Sequence, residues 1–247
     1  MMEQIYTIQE GLLRLFQAGQ RPAVDFTYEK ATSETLCDHI TVDGERYPVF
    51  DWRYSKKCYG IYASLLAHLG EPSTLKTLDF APNTQTMEQE LFRELELAEF
   101  ILQSQVKSVM GYGTQQAANF LVRMKNGTLL SLETAVTMPA EAHREAKHTI
   151  FTTNGMACDM VVDNVVVQEQ IHVFNNGKNP TTYTDDDVNL FGLSLQDQDT
   201  CYAIYALLDG RENKEEWKRQ EQHLIPLIKG AMSTLRTGEK FFAPDNG

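Results

Sequence analysis

An α+β fold, with an open, largely antiparallel sheet and helices packed on one face, is predicted by three features of this 247-residue sequence. Strand-like alternation is bunched between residues 106 and 174, with Asn-Gly pairs at 126–127 and 154–155 where hairpins would turn. Helical periodicity lies before that block and after it, so the order is not an alternating βαβ series. No Gly-, Pro- or Ser-rich linker interrupts the chain, and a single domain over 1–247 is expected. Helices on one face leave the other face of the sheet for a second copy of the chain to cover.

The elements follow in order. Ile8, Leu12, Leu15 and Phe16 share one face of a helix over 8–18, with Gly19 placed to end it and Pro22 to forbid continuation. Residues 23–29 alternate as a strand, and Asp43-Gly44 marks a turn. Residues 58–69 are apolar nearly all round, as in a buried helix, and stop at Gly70 with Pro72 beyond. A strand is expected over 75–80. An amphipathic helix follows over 87–102, with Thr86 as N-cap, Glu88 and Glu90 in the favourable half of the dipole, and further glutamates between its leucines. Strands are read at 106–112, 117–124, 128–136, 149–152, 160–162, 165–167 and 171–174, and a polar loop at 175–187. Two helices close the chain, over 195–208 and 214–235, with Pro226 expected to kink or divide the second.

Composition narrows function by exclusion. The net charge of -12 repels phosphate backbones and anionic lipid, so neither nucleic acid nor a membrane surface is an expected partner. No apolar run reaches the ~20 residues of a membrane span, and the N-terminus has no signal-peptide pattern. Cys37, Cys58, Cys158 and Cys201 form no C-x-x-C pair and suggest no zinc-ligand spacing with a histidine, so no metal is assigned. Thiols scattered in this way fit a reducing cytoplasm. Asp185-Asp186-Asp187 lacks the spacing of a calcium loop, and no G-x-S-x-G elbow surrounds Ser64 or Ser131. His143 and His148, flanking Arg144 and Lys147, read as a solvated loop.

Several strings occur in the order of one known family. They are Gly11-Leu12-Leu13-Arg14-Leu15-Phe16-Gln17-Ala18-Gly19, Asp51-Trp52-Arg53, Leu69-Gly70-Glu71-Pro72, the hairpin Leu121-Val122-Arg123-Met124-Lys125-Asn126-Gly127-Thr128, Thr153-Asn154-Gly155-Met156, and the closing stretch from Ile228 to Glu239. With them, residues 9–242 resemble the C-terminal, substrate-holding and oligomer-forming domain of the glucose–fructose oxidoreductase and inositol dehydrogenase (Gfo/Idh/MocA) family; 1–8 and 243–247 read as tails.

The resemblance implies an NAD(P)-dependent oxidoreductase, but two of its parts are missing. No G-x-G-x-x-G fingerprint occurs, and neither does the Glu-Lys-Pro that supplies a lysine from the Rossmann side. The family's substrate helix carries Asp-x-x-x-His, one helix face bearing a carboxylate and a base. Counting back without gaps from Leu69-Gly70-Glu71-Pro72 puts the Asp position on Lys56 and the His position on Gly60. No catalytic residue and no cofactor-binding residue is therefore assigned. Arg53, Lys56, Tyr59 and Gly60 are the substrate-groove candidates, with Tyr54 and Tyr62 as rings for stacking on a sugar and His68 as a remote base. Two readings stand. The first is a substrate-type domain, non-catalytic alone, that binds a small polyol, sugar or acid or serves in assembly as a dimer or larger. The second is one half of a split dehydrogenase, whose NAD(P) site a separate Rossmann chain supplies.

Overall fold

Side-chain caps fix the helix starts that periodicity marks. Thr7 and Thr86 close capping boxes with Glu10 and Gln89 at the heads of α1 (Ile8–Ala18) and α3 (Met87–Leu102). Ser194 caps α4 (Leu195–Leu208), and Asn213 caps α5 (Lys214–Thr237), which stops at left-handed Gly238. The computed structural model describes residues 7–20, 24–159, 170–184 and 193–244, with the backbone alone at Lys56, Lys57, Gln170, Leu195 and 182–184. The strands expected at 160–162 and 165–167, and the Asp185-Asp186-Asp187 run, lie outside these residues.

A small sheet joins β1 (Thr27–Glu29), β2 (Asp38–Val42) and β3 (Glu45–Val49). Asp43 and Gly44 both have positive φ, 53° and 81°, the geometry of a tight hairpin between β2 and β3. Of the strand expected over 23–29, Thr27–Glu29 alone among the described residues pairs, on β2.

The main sheet has nine described strands: β4 (Pro72–Pro82), β5 (Val106–Gly113), β6 (Ala117–Met124), β7 (Leu129–Met138), β8 (Glu145–Thr152), β9 (Gly155–Asp159), β10 (Gln170–Asn175), β11 (Thr181–Thr184) and β12 (Phe241–Phe242). Their spatial order is β11-β10-β9-β8-β4-β7-β6-β5-β12, antiparallel throughout except for the central β4–β7 pair. β11 falls inside the stretch read as a loop, and two-residue β12 had no signal of its own. α3 and α5 cover one face, where Leu75, Phe120, Val122, Leu130, Leu132 and Ile150 are buried. On the other face Met110 is 44% exposed and its cross-strand partner Leu121 is 55% exposed; Leu129 and Phe151 are exposed as well. Pro226 does not divide α5, which continues through it to Thr237. One buried apolar cluster reaches from Leu12 to Ala231 and joins both sheets.

The helix expected over 58–69 starts at Lys56 as α2 (Lys56–Ser64) and finishes in a π turn, Leu65–Leu69. It is not buried all round. Cys58, Ile61, Leu65 and Leu69 face inward, while Tyr59 is 59% exposed and Leu66 65% exposed. Its inner face rests on β9, β10 and α3.

Candidate functional site

The turn that delivers the chain into α2 is anchored from below. Asp51–Tyr54 form a 3-10 turn, and Asp51 accepts a hydrogen bond from the Thr200 hydroxyl at 2.9 Å. Trp52 Nε1 donates to Glu96 Oε2 at 2.6 Å, and Arg53 Nε donates to Glu96 Oε1 at 2.9 Å; Arg53 Nη2 contacts the same oxygen. The guanidinium also lies over the rings of Phe50, Phe100 and Trp217, 4.7–5.3 Å from their centroids. The Trp-Arg string thus grips the buried carboxylate of Glu96. Arg53 is spent inside the fold, and only Tyr59 of the described groove candidates presents a side chain outward. Lys56 heads α2 by its backbone, and its side chain lies outside the described residues.

Gly60 has a packing reason. A Cβ built there would stand 2.1 Å from Ile171 Cδ1 on β10, so the helix approaches the sheet at the one residue without a side chain. The π turn matters to the counting. It bonds i to i+5, so it takes up one residue more than an α turn. Allowing for that residue moves the His position of the resembled pattern from Gly60 to Tyr59, and the Asp position from Lys56 to Ser55. Tyr59 faces solvent, whereas the Ser55 hydroxyl is buried and has no hydrogen-bond partner among the described residues.

Beneath α2 lies a buried ionic network, where the sequence predicts a solvated loop around His143 and His148. Glu90 and Glu94, four apart on α3, point at the sheet. Arg144, just before β8, and His148 within it, also four apart, point back. Arg144 Nε donates to Glu90 Oε2 and Nη2 to Glu94 Oε1, each at 2.7 Å. Nη2 also lies 2.8 Å from Asp79 Oδ1 on β4, an ion contact without an aligned hydrogen bond. The other oxygen of Glu94 meets His148 Nε2 at 2.9 Å, and the His148 amide donates to Asp159 Oδ1 at 2.5 Å.

Charge in this network follows from burial and pairing. Burial alone would strip the proton from His148, but Glu94, Cys58 and Asp159 more than offset it and hold the imidazolium up to about 10. Burial would raise Glu94, yet His148 and Arg144 pull it down to about 2. Asp79 goes the other way. Burial and the neighbouring Glu90 and Glu94 carboxylates push it well above its ordinary value despite Arg144. Two cations thus favour the charged forms of Glu90 and Glu94, while burial opposes the charge on Asp79. His148 is 1% exposed and locked between carboxylates, so it holds β8 and β9 to α3 and does not exchange protons at the surface. His68 and His143 are exposed.

Elsewhere, surface clefts of about 470 and 520 Å³ are lined by Gln105, Arg219 and His223, and by Ile8, Phe26 and Tyr28; none of their described lining residues belongs to α2. All four cysteines are buried and none is in a disulfide. Cys37 and His39 converge with Glu221, their ligand atoms all within 4.8 Å of one another. Cys37 and His39 are two apart on an extended chain, which puts both side chains on one side.

No protein-family model matches the sequence, and no curated protein matches it. Solved structures match its fold. A myo-inositol dehydrogenase from Corynebacterium glutamicum superposes with a TM-score of 0.57 at 13% identity, over 79% of this chain and 63% of that one. An NAD binding oxidoreductase from Klebsiella pneumoniae gives 0.57 at 13% identity, over 80% of this chain and 65% of that one. The chain thus spans just under two thirds of these two proteins. An oxidoreductase from Agrobacterium radiobacter, solved with NAD+, L-tartaric acid and magnesium, gives 0.59 at 12% identity, over 96% of this chain and 70% of that one.

Proposed function

We propose, from a fold of the Gfo/Idh/MocA oxidoreductase type, that this chain is a substrate-type unit that binds a small hydroxylated molecule (a polyol, sugar or hydroxy acid) on the outer face of α2 and performs no hydride transfer by itself. The observation that carries the reading is at Gly60. The position that the ungapped count assigns to the base is packed against Ile171, with no space for a side chain. The count that allows for the π turn puts Tyr59 there instead, an exposed phenol suited to hydrogen-bonding a hydroxyl or stacking on a ring.

Two observations support our reading that this chain holds no dinucleotide site of its own. No G-x-G-x-x-G occurs in the sequence, and α1, α3, α4 and α5 each carry a carboxylate in the first turn, where a pyrophosphate needs an unopposed helix dipole. Calorimetric titration with NAD(H), NADP(H) and a panel of polyols and hydroxy acids tests the reading. We expect no dinucleotide binding, and a hydroxylated ligand whose affinity falls in Tyr59→Ala. Micromolar dinucleotide binding by this chain would sink the proposal.

The exposed stripe of Tyr59 and Leu66 favours a second reading, in which a Rossmann chain docks over α2 and completes an NAD(P)-dependent enzyme. Co-expression with such a chain would then give a complex and nicotinamide-dependent turnover. In both readings the outer sheet face around Met110 and Leu121 is the surface through which we propose that copies of the chain associate.

A further inference from the structure

We infer that Cys37, His39 and Glu221 form a binding site for a zinc-class divalent cation, with three protein ligands and one position left to water. The site shares no residue with the α2 face and does not depend on the function proposed for it.

Cys37 and His39 flank Asp38 at the start of β2. Residues two apart on an extended chain face the same way, and here that side is the one α5 covers. From α5, Glu221 Oε1 stands 2.8 Å from His39 Nε2 and 3.8 Å from Cys37 Sγ, and the three ligand atoms all lie within 4.8 Å of one another. Ligands at about 2.0–2.3 Å from a tetrahedral zinc are roughly 3.3–3.8 Å apart, so small side-chain adjustments would seat the ion. Cys37 and His39 are buried, while the Glu221 side chain is 19% exposed, which gives the ion an entry and the water a place.

The surrounding charges leave room for a cation. Among the described residues the ion-pair partner of Glu221 is His39. Lys218, the nearby lysine on α5, is held by Glu45 at 2.9 Å. Asp38 is turned to the Tyr28 hydroxyl and the Ala31 amide. A cysteine binds a metal as its thiolate, so Cys37 would give up its thiol proton. Binding would exchange that proton for the metal: one S–H bond breaks, one S–metal bond forms, and one proton leaves to solvent. A thiolate beside an imidazole and one carboxylate selects zinc or cobalt over magnesium or calcium. His39 Nδ1 has no hydrogen-bond partner among the described residues, so no outer contact braces the ring, and the site should exchange its metal readily.

The test uses the full chain freed of metal by chelation, with Co(II) alone as probe and Zn(II) as competitor. One equivalent of Co(II) should give a near-ultraviolet thiolate-to-cobalt band and the visible bands of a four-coordinate ion, which Zn(II) abolishes. Cys37→Ser should lose the near-ultraviolet band. Glu221→Gln should keep it but bind more than about 100-fold more weakly, beyond what an outer contact contributes. A chain with Cys58, Cys158 and Cys201 replaced by serine should behave as the parent. Cobalt binding without a thiolate band, or a band that survives Cys37→Ser, would overturn the proposal. If Cys37→Ser does not fold, His39→Gln takes its place: Zn(II) should raise the melting temperature of the parent and leave that variant unmoved, and an equal rise in both would overturn it.

Discussion

Stability should fall as pH rises through the neutral range because of His148. The ordinary value for its imidazole is 6.5, and the folded environment holds it at about 10. A base raised in this way binds its proton more tightly in the folded chain. Its stabilisation is therefore complete below 6.5 and is lost as pH rises towards 10. A gap of about 3.5 at about 1.36 kcal/mol for each pH unit gives a ceiling of roughly 5 kcal/mol, of which about 2 kcal/mol is lost between pH 6.5 and 8.5. Glu94 reports the same contact from the acid side, so its share is not added; it is present above the ordinary 4.5 and lost only as pH falls towards about 2. Stopping at pH 8.5 keeps the buried thiols out of the measurement, since Cys37, Cys158 and Cys201 start from 9.0 and are raised by burial. Urea denaturation followed by tryptophan fluorescence reads the slope. His148→Gln should flatten it and lower stability at pH 6.5 by about 3–5 kcal/mol, the cost of breaking a buried pair. A parent curve that is flat from pH 6.5 to 8.5, or an equal slope in His148→Gln, would refute the reasoning. If the variant does not fold, the imidazole nitrogen shifts of the parent at pH 8 decide: a neutral ring there contradicts the argument.

Three further outcomes are expected. Gly60→Ala places a methyl against Ile171 Cδ1 and should cost about 1–3 kcal/mol in chemical denaturation. Adding Ile171→Val, which removes that carbon, should recover most of the loss. Arg53→Met leaves Glu96, which is fully buried, without its cation and should cost about 3–5 kcal/mol by the same measurement, while Arg53→Lys should recover only part of it because a lysine cannot reproduce the guanidinium stack. Leu121→Lys should reduce the particle mass in light scattering to that of one chain; a mass identical to that of the parent would exclude the outer sheet face as the contact.

Much of the fold was legible because local chemistry and tertiary structure agree. Thr86 caps α3 where expected, Asn126-Gly127 and Asn154-Gly155 turn their hairpins, and strict alternation along 117–124 matches β6 residue for residue. The candidate site was less legible because its key features contradict simple rules. Glu90, Glu94 and Glu96 look like the wet edge of an amphipathic helix, but each is buried against a cation that arrives from more than forty residues away. Arg144 and His148 carry an alternation that a strand reading could have used, with the even positions facing inward. The apolar 58–69 stretch suggested burial on every side, yet its outer face is uncovered in this chain. Nothing in residue spacing signals a π turn, which leaves two possible counts along α2, one ending on Gly60 and one on Tyr59.

The position of β4 in the sheet has a consequence for how the chain reaches this state. It is the first strand of the main sheet to be made, yet its neighbours are β7 and β8, so its partners lie at residues 129–152. Until residues 129–152 have left a ribosome, β4 has neither edge satisfied. The local meander of β5, β6 and β7 can form first, and β4 must then be threaded between β7 and β8, with the Arg144 and His148 charges closing over it. Pairings this distant make folding slow and leave an apolar strand open to other chains in the interval. Aggregation during synthesis, more than weakness of the finished fold, is the hazard this topology creates.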